Sequence, residues 1–171
     1  MKPFIEQAQC YASYHHNTMT QYTHMVGVPL IILSFMILLG FVQIIIPAVF
    51  ASTLAWFATI AILIYYFLLN WKLTLALTPI MLFLLWIAHW FSEDGPTTLG
   101  IWAFVITFMG GWGLQFYGHY LGGKKPAFMD NLSLALIAPL YLTAELFFMA
   151  GYMKSLQMQI YGTSFESEKE E

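Results

Sequence analysis

The sequence predicts an all-α integral membrane bundle of about five membrane segments, one of them broken or not fully crossing. Three observations carry that prediction. Hydrophobic residues make up 60% of the chain and charged residues only 9%, against about 25% charged in an ordinary soluble domain. Apolar runs close to the ~20 residues that cross a hydrocarbon core recur along the chain. The links between these runs are short, so neighbouring segments run antiparallel in one bundle.

Residues 1–24 read as an amphipathic N-terminal helical segment carrying histidines. Phe4, Ile5, Ala8, Tyr11 and Ala12 fall on one face at three- and four-residue spacing. Thr18-Met19-Thr20-Gln21 fits a capping box, so a second helix begins near Thr18. A bend before it matters, because on one continuous helix His15 and His24 would stand roughly 13 Å apart along the axis.

The transmembrane bundle is expected over residues 25–153. Residues 25–48 carry no charge and form the first span, with Pro29 in its first turns, where proline is tolerated. Residues 53–71 form a shorter second span. A third occupies residues 73–91 and is kinked at Pro79. Glu93-Asp94-Gly95-Pro96 reads as a turn. In the fourth span, residues 98–121, Gly110, Gly111 and Gly113 mark the candidate for a broken helix. Residues 132–153 form the fifth, with Pro139 and one acid, Glu145. Residues 154–171 form a polar acidic tail.

Under this count Lys2, Lys72, Lys124 and Lys125 share one side of the membrane. Glu93, Asp94, Lys154 and the tail share the other. The positive-inside rule then places the N-terminus in the cytoplasm. His15, His16, His24 and His119 fall on the lysine side and His89 on the opposite one.

Composition also excludes. The net charge is −3, drawn mostly from the terminal ESEKEE, and no arginine is present. A nucleic-acid partner is therefore not expected. The single cysteine, Cys10, rules out an internal disulfide and a cysteine-rich metal site. No signal peptide is read at the N-terminus. The expected partner is the lipid bilayer, as a bacterial inner membrane or an endoplasmic reticulum, and self-association stays open.

Five histidines lie near the ends of apolar runs. The pattern His-x6-Pro occurs at His89–Pro96 and again at His119–Pro126, each time where apolar sequence meets polar sequence. Imidazole suits iron, zinc and copper, and iron with open positions supports oxygen chemistry. Solvated or backbone-bonded interfacial histidines are the plainer alternative. A transmembrane haem held by His24 and His119 is another, and a zinc hydrolase a third. His15 and His16 are adjacent and point apart on a helix, so at most one is a ligand. Glu145 within a span costs ~3 kcal/mol on insertion scales and is a functional candidate on that ground. Lys124 and Lys125, after Gly122-Gly123, could pair with a carboxylate head group. They also fit an ordinary positive loop.

Three stretches together resemble one family. They are Tyr11 with HHN and H24-MVGVP, the turn from His89 to Pro96, and LQFYGHYLGGKKPAFMDNL with the APLYLTAE that follows. The chain is similar over roughly residues 11–150 to the membrane-bound 2-hydroxy fatty acid dioxygenases. The resemblance implies an Fe(2+)-dependent enzyme whose substrates are a 2-hydroxy fatty acid and dioxygen. Its products would be a fatty acid one carbon shorter and CO2. The family's histidines map to His15, His24, His89 and His119, while His16 falls at a variable position. One departure is Gly123, where the family often has an acid four residues after the last motif histidine; Glu93 keeps the equivalent acid after His89. The contrasting expectation is a non-catalytic transporter or lipid-binding protein with structural histidines.

Overall fold

Among the described residues, seven helices and one two-stranded hairpin make up the architecture. The computed structural model describes residues 3–14, 18–46, 50–123, 126, 129 and 133–162. In order these are α1 (Phe4–Ala12), α2 (Thr18–Gly40), β1 (Gln43–Ile46), β2 (Phe50–Thr53), α3 (Leu54–Leu69), α4 (Trp71–Ser92), α5 (Thr98–Gly122), α6 (Ser133–Met149) and α7 (Lys154–Tyr161). The fold is the all-α membrane bundle that composition demands. Among the described residues three helices, α2, α4 and α5, are long and apolar enough to cross a membrane, a fourth span being counted if the bent pair of α6 and α7 is taken as one, and α3 is shorter.

The central element is α2, which packs against α3, α4 and α5. It begins at Thr18, where the capping-box pattern puts it, and runs unbroken through His24. Pro29 consequently lies in its interior. The helix stops at Gly40, short of the expected end at residue 48. Gly40 abuts the Ser92 side chain, with no space for a Cβ. Beyond it, Gln43-Ile44-Ile45-Ile46 pairs antiparallel with Phe50–Thr53, Gln43 opposite Thr53 and Ile45 opposite Ala51. Three consecutive isoleucines favour a pleated strand over a helix.

Two contacts fix the directions of the chain. At one end Gly40 meets Ser92, and Gln43 Nε2 donates to the Glu93 carbonyl at 2.9 Å. At the other, Thr20 Oγ1 donates to the Gly118 carbonyl at 2.9 Å. Helices α2 and α5 are thus antiparallel, with a hairpin end near Gly40 and a histidine end near His24.

The segment that fails to run the bundle's length is α6, whereas α5 is one continuous 25-residue helix. Of the glycines that marked α5 as breakable, Gly111 faces α2 closely, and Gly110 and Gly113 face open space. Both ends of α6 are anchored at the histidine end. Tyr66, near the C-terminus of α3, donates to the Leu136 carbonyl at 2.6 Å. Gln21, in the first turns of α2, donates to Glu145 Oε1 at 3.3 Å. Helix α6 therefore lies across that end. The chain then bends by 119° into α7, which packs on α1 with Gln9 Nε2 donating to the Gln159 carbonyl at 2.7 Å. Lys154 accordingly starts a helix at the histidine end, away from Glu93 and Asp94. The five-span count put it on their side because it counted α6 as a crossing.

Candidate active site

Close packing of α2 on α5 assembles the site. Gly27 and Gly111 face each other so tightly that a Cβ on Gly111 would come within 3.0 Å of the Gly27 carbonyl oxygen. Two turns on along α5, Gly118 receives the Thr23 side chain with no space for a Cβ. Small residues let membrane helices approach until side chains beside the seam touch. His24 and His119 are the residues brought together here. They are 1% and 5% exposed, their Nε2 atoms are 3.1 Å apart, and their rings meet edge to face at 84°.

Two nitrogen lone pairs do not face each other bare in an apolar interior. Either one ring donates its proton to the other, or a cation lies between them. The spacing suits both. A first-row divalent metal stands about 2.0–2.1 Å from an imidazole nitrogen, which places two neighbouring ligands roughly 3.0–3.4 Å apart. The pair therefore fits two adjacent positions of one ion. Among the described residues no group of three or more His, Cys, Asp or Glu could hold a metal. His15, Lys124 and Lys125 lie outside the described residues.

His89 is not part of this assembly. It lies at the hairpin end of α4, its side chain 46% exposed and its Nε2 3.6 Å from a Glu93 carboxylate oxygen. Sixteen residues of α2 separate His24 from Gly40, the neighbour of Ser92, a rise of about 24 Å. The geometry accordingly groups His24 with His119 and leaves His89 about a bundle's length away.

The histidine pair closes the polar end of an apolar cavity of about 490 Å³, well within the range of small-molecule sites. Helix α2 supplies its back wall through His24, Val28, Ile31, Phe35 and Leu39, which share one helical face. Helices α3 and α5 flank it. Around the histidines the lining turns polar, with Tyr11, Tyr66 and Gln115. Burial, with the Glu145 carboxylate adding to it, pushes the Tyr11 phenol above its ordinary range, so it stays protonated.

Gln115 stands out. It is 6% exposed, and its Nε2 has no hydrogen-bond partner among the described residues. A buried amide donor left unmade costs ~1–3 kcal/mol, and such a group facing a cavity is suited to bind an acceptor on a ligand. Sequence reasoning passed over Gln115 as a binding residue. The signal was present: a polar residue one turn before His119 in a span without charge.

Glu145 does not line the cavity. It anchors a cluster that joins α1, α2, α6 and α7. Its Oε1 accepts from the Tyr161 hydroxyl at 2.9 Å as well as from Gln21, and the Tyr161 and Tyr141 hydroxyls lie 2.6 Å apart. Tyr141 in turn packs on Tyr11 at 4.7 Å between ring centroids. Glu145 thus links α2, α6 and α7 through hydrogen bonds, next to the Tyr11–Tyr141 contact on α1. Glu145→Ala is expected to cost about 1–3 kcal/mol by removing the acceptor that Gln21 and Tyr161 share. Thermal unfolding in detergent measures this, and Glu145→Gln should recover most of the loss.

Neither the curated proteins nor the solved structures hold a match to this chain. A family description does match. The Mpo1-like family, described as 2-hydroxy-palmitic acid dioxygenase Mpo1-like, covers residues 1–150, so α1 to α6, the histidine pair and the cavity all fall inside it, and the chain belongs to this family.

Proposed function

We propose that the protein is an iron(II)-dependent dioxygenase that shortens 2-hydroxy fatty acids by one carbon. The reading rests on one observation: two buried imidazoles, 3.1 Å apart, at the polar end of a long apolar cavity. The name of the family supplies the substrate class. The reaction balances as a 2-hydroxy acid plus O2 giving the shorter acid, CO2 and water. Carbons 1 and 2 are oxidised as the bond between them breaks, and dioxygen takes up the electrons.

His24 and His119 would hold the iron, with His15 as a further ligand from the segment that precedes α2. Bound there, iron supplies the activation of dioxygen that side chains alone cannot. The protein's own contribution is placement. The apolar walls take the alkyl tail and exclude water, which fixes carbons 1 and 2 beside the histidines. Gln115 Nε2 donates to the carboxylate or the 2-hydroxyl. Lys124 and Lys125 would neutralise the carboxylate from the loop after α5. Glu145 holds the α1–α6 wall in place.

Anaerobic reconstitution of the detergent-purified protein with ferrous iron, followed by a 2-hydroxy fatty acid and air, tests the reading. About one iron per chain and a product one carbon shorter would support it. Zinc with hydrolytic chemistry would overturn it. An absence of bound metal would favour a lipid-binding protein in which His24 and His119 share a proton. Within the first outcome, Gln115→Leu is expected to raise KM about tenfold or more with little change in iron content, since a hydrogen bond to a charged group contributes ~1.5–3 kcal/mol.

A further inference from the structure

The lining of the cavity differs between its two ends. On α2 its lining runs from His24 to Leu39, fifteen residues and roughly 22 Å. Helix α3 runs the other way, so Tyr66 lies near the histidines, and Ala55 and Ala58 lie at the far end beside Leu39. Past them stands the hairpin. The Leu54 N–H donates to the Val42 carbonyl at 2.9 Å, one residue before Ala55, and ties the base of the hairpin to the start of α3. The lining is therefore polar at one end and, at the other, ends with Leu39, Ala55 and Ala58 next to the hairpin.

We infer that Leu39, Ala55 and Ala58 form a gauge that sets the longest alkyl tail the site accepts. The inference rests on the fatty-acid reading above and adds to it which residues choose chain length. One leaflet's tails span about 15 Å, half of a ~30 Å hydrocarbon core. A depth of roughly 22 Å thus accommodates a long tail together with its head at the histidines. Short acids would leave the far end unfilled.

The gauge must work by steric exclusion. A tail arriving from the bilayer leaves an environment as apolar as leucine, so methylene transfer into the cavity gains little. Discrimination comes from overlap of an overlong tail with the end wall. Overpacking of that kind typically changes affinity about 5- to 150-fold. The alanines suit the role. Ala55 is buried and Ala58 half-buried on a helix otherwise rich in large residues, and each leaves depth that a larger side chain would fill.

The test uses the full-length protein and an equimolar mixture of saturated 2-hydroxy fatty acids of graded length. The acids retained after purification in detergent are quantified by mass spectrometry, without turnover. Ala58→Phe is expected to shift the retained distribution to shorter acids and reduce the share of the longest about 5- to 150-fold. Leu39→Ala, which only removes atoms, is expected to shift it to longer ones. Retention with an unchanged profile in both variants would overturn the gauge, and so would no retention by the unmodified protein. Shifted profiles without oxygen-dependent turnover would leave the gauge standing and remove the dioxygenase reading. Turnover with unshifted profiles would do the reverse.

Discussion

Replacing His119 with alanine is expected to abolish iron retention and to lower oxygen-dependent turnover by ~100-fold or more. Changes to groups that merely orient metal ligands already cost about 10- to 100-fold, and His119 would be a ligand itself. His24→Ala should behave alike, because each ring supplies one half of the 3.1 Å Nε2 pair. The informative control is His89→Ala. Its side chain is half in solvent beside Glu93 at the hairpin end, and removing it is expected to leave iron content unchanged. Elemental analysis of the three variants after identical reconstitution decides the matter. Iron lost from His89→Ala and kept in His119→Ala would overturn the assignment of the pair.

The second large effect is expected far from any ligand, at Gly111. A Cβ there would come within 2.7 Å of Ile31 Cγ1 and within 3.0 Å of the Gly27 oxygen and the Ile31 nitrogen. The isoleucine side chain can rotate away, but the two backbone atoms move only if α2 and α5 separate. Gly111→Leu should therefore destabilise by about 1–3 kcal/mol or more and lower iron occupancy by parting His24 from His119. Gly113→Leu is the matched control, since nothing lies within 4 Å of a Cβ at that position. Its effect on stability should run from neutral to a gain of about 1 kcal/mol, since glycine weakens a helix interior by that much. Thermal unfolding and iron content together separate the two variants, and equal behaviour would show that the seam does not hold the pair.

The sequence carried the class of fold because charge depletion and run length are properties of the whole chain. It carried the start of α2 because capping is local, and it named His24 and His119 among four histidines without separating them from His89. It misplaced what depends on contact. Strand β1 at Gln43–Ile46 falls inside the run 25–48 that reads as the first span, since in an apolar run strand and helix lose the polar alternation that tells them apart. Helix α6 has a span's composition, and only its bonds to Tyr66 and Gln21 reveal that it lies across the bundle. The glycines of α5 read as breakers, whereas at Gly111 the missing side chain is the space another helix occupies. Gln115 was visible but carried no weight until a cavity stood beside it.

The shortness of α3 has a consequence for the bilayer itself. Its 16 residues rise about 24 Å, less than the ~30 Å of hydrocarbon around it. Lipid beside a helix that short thins to meet it unless flanking residues reach for the interface. Helix α3 flanks the cavity, so thinning there would fall next to it. Head groups lowered there would shorten the distance that an amphiphile's polar head travels through hydrocarbon to reach the cavity.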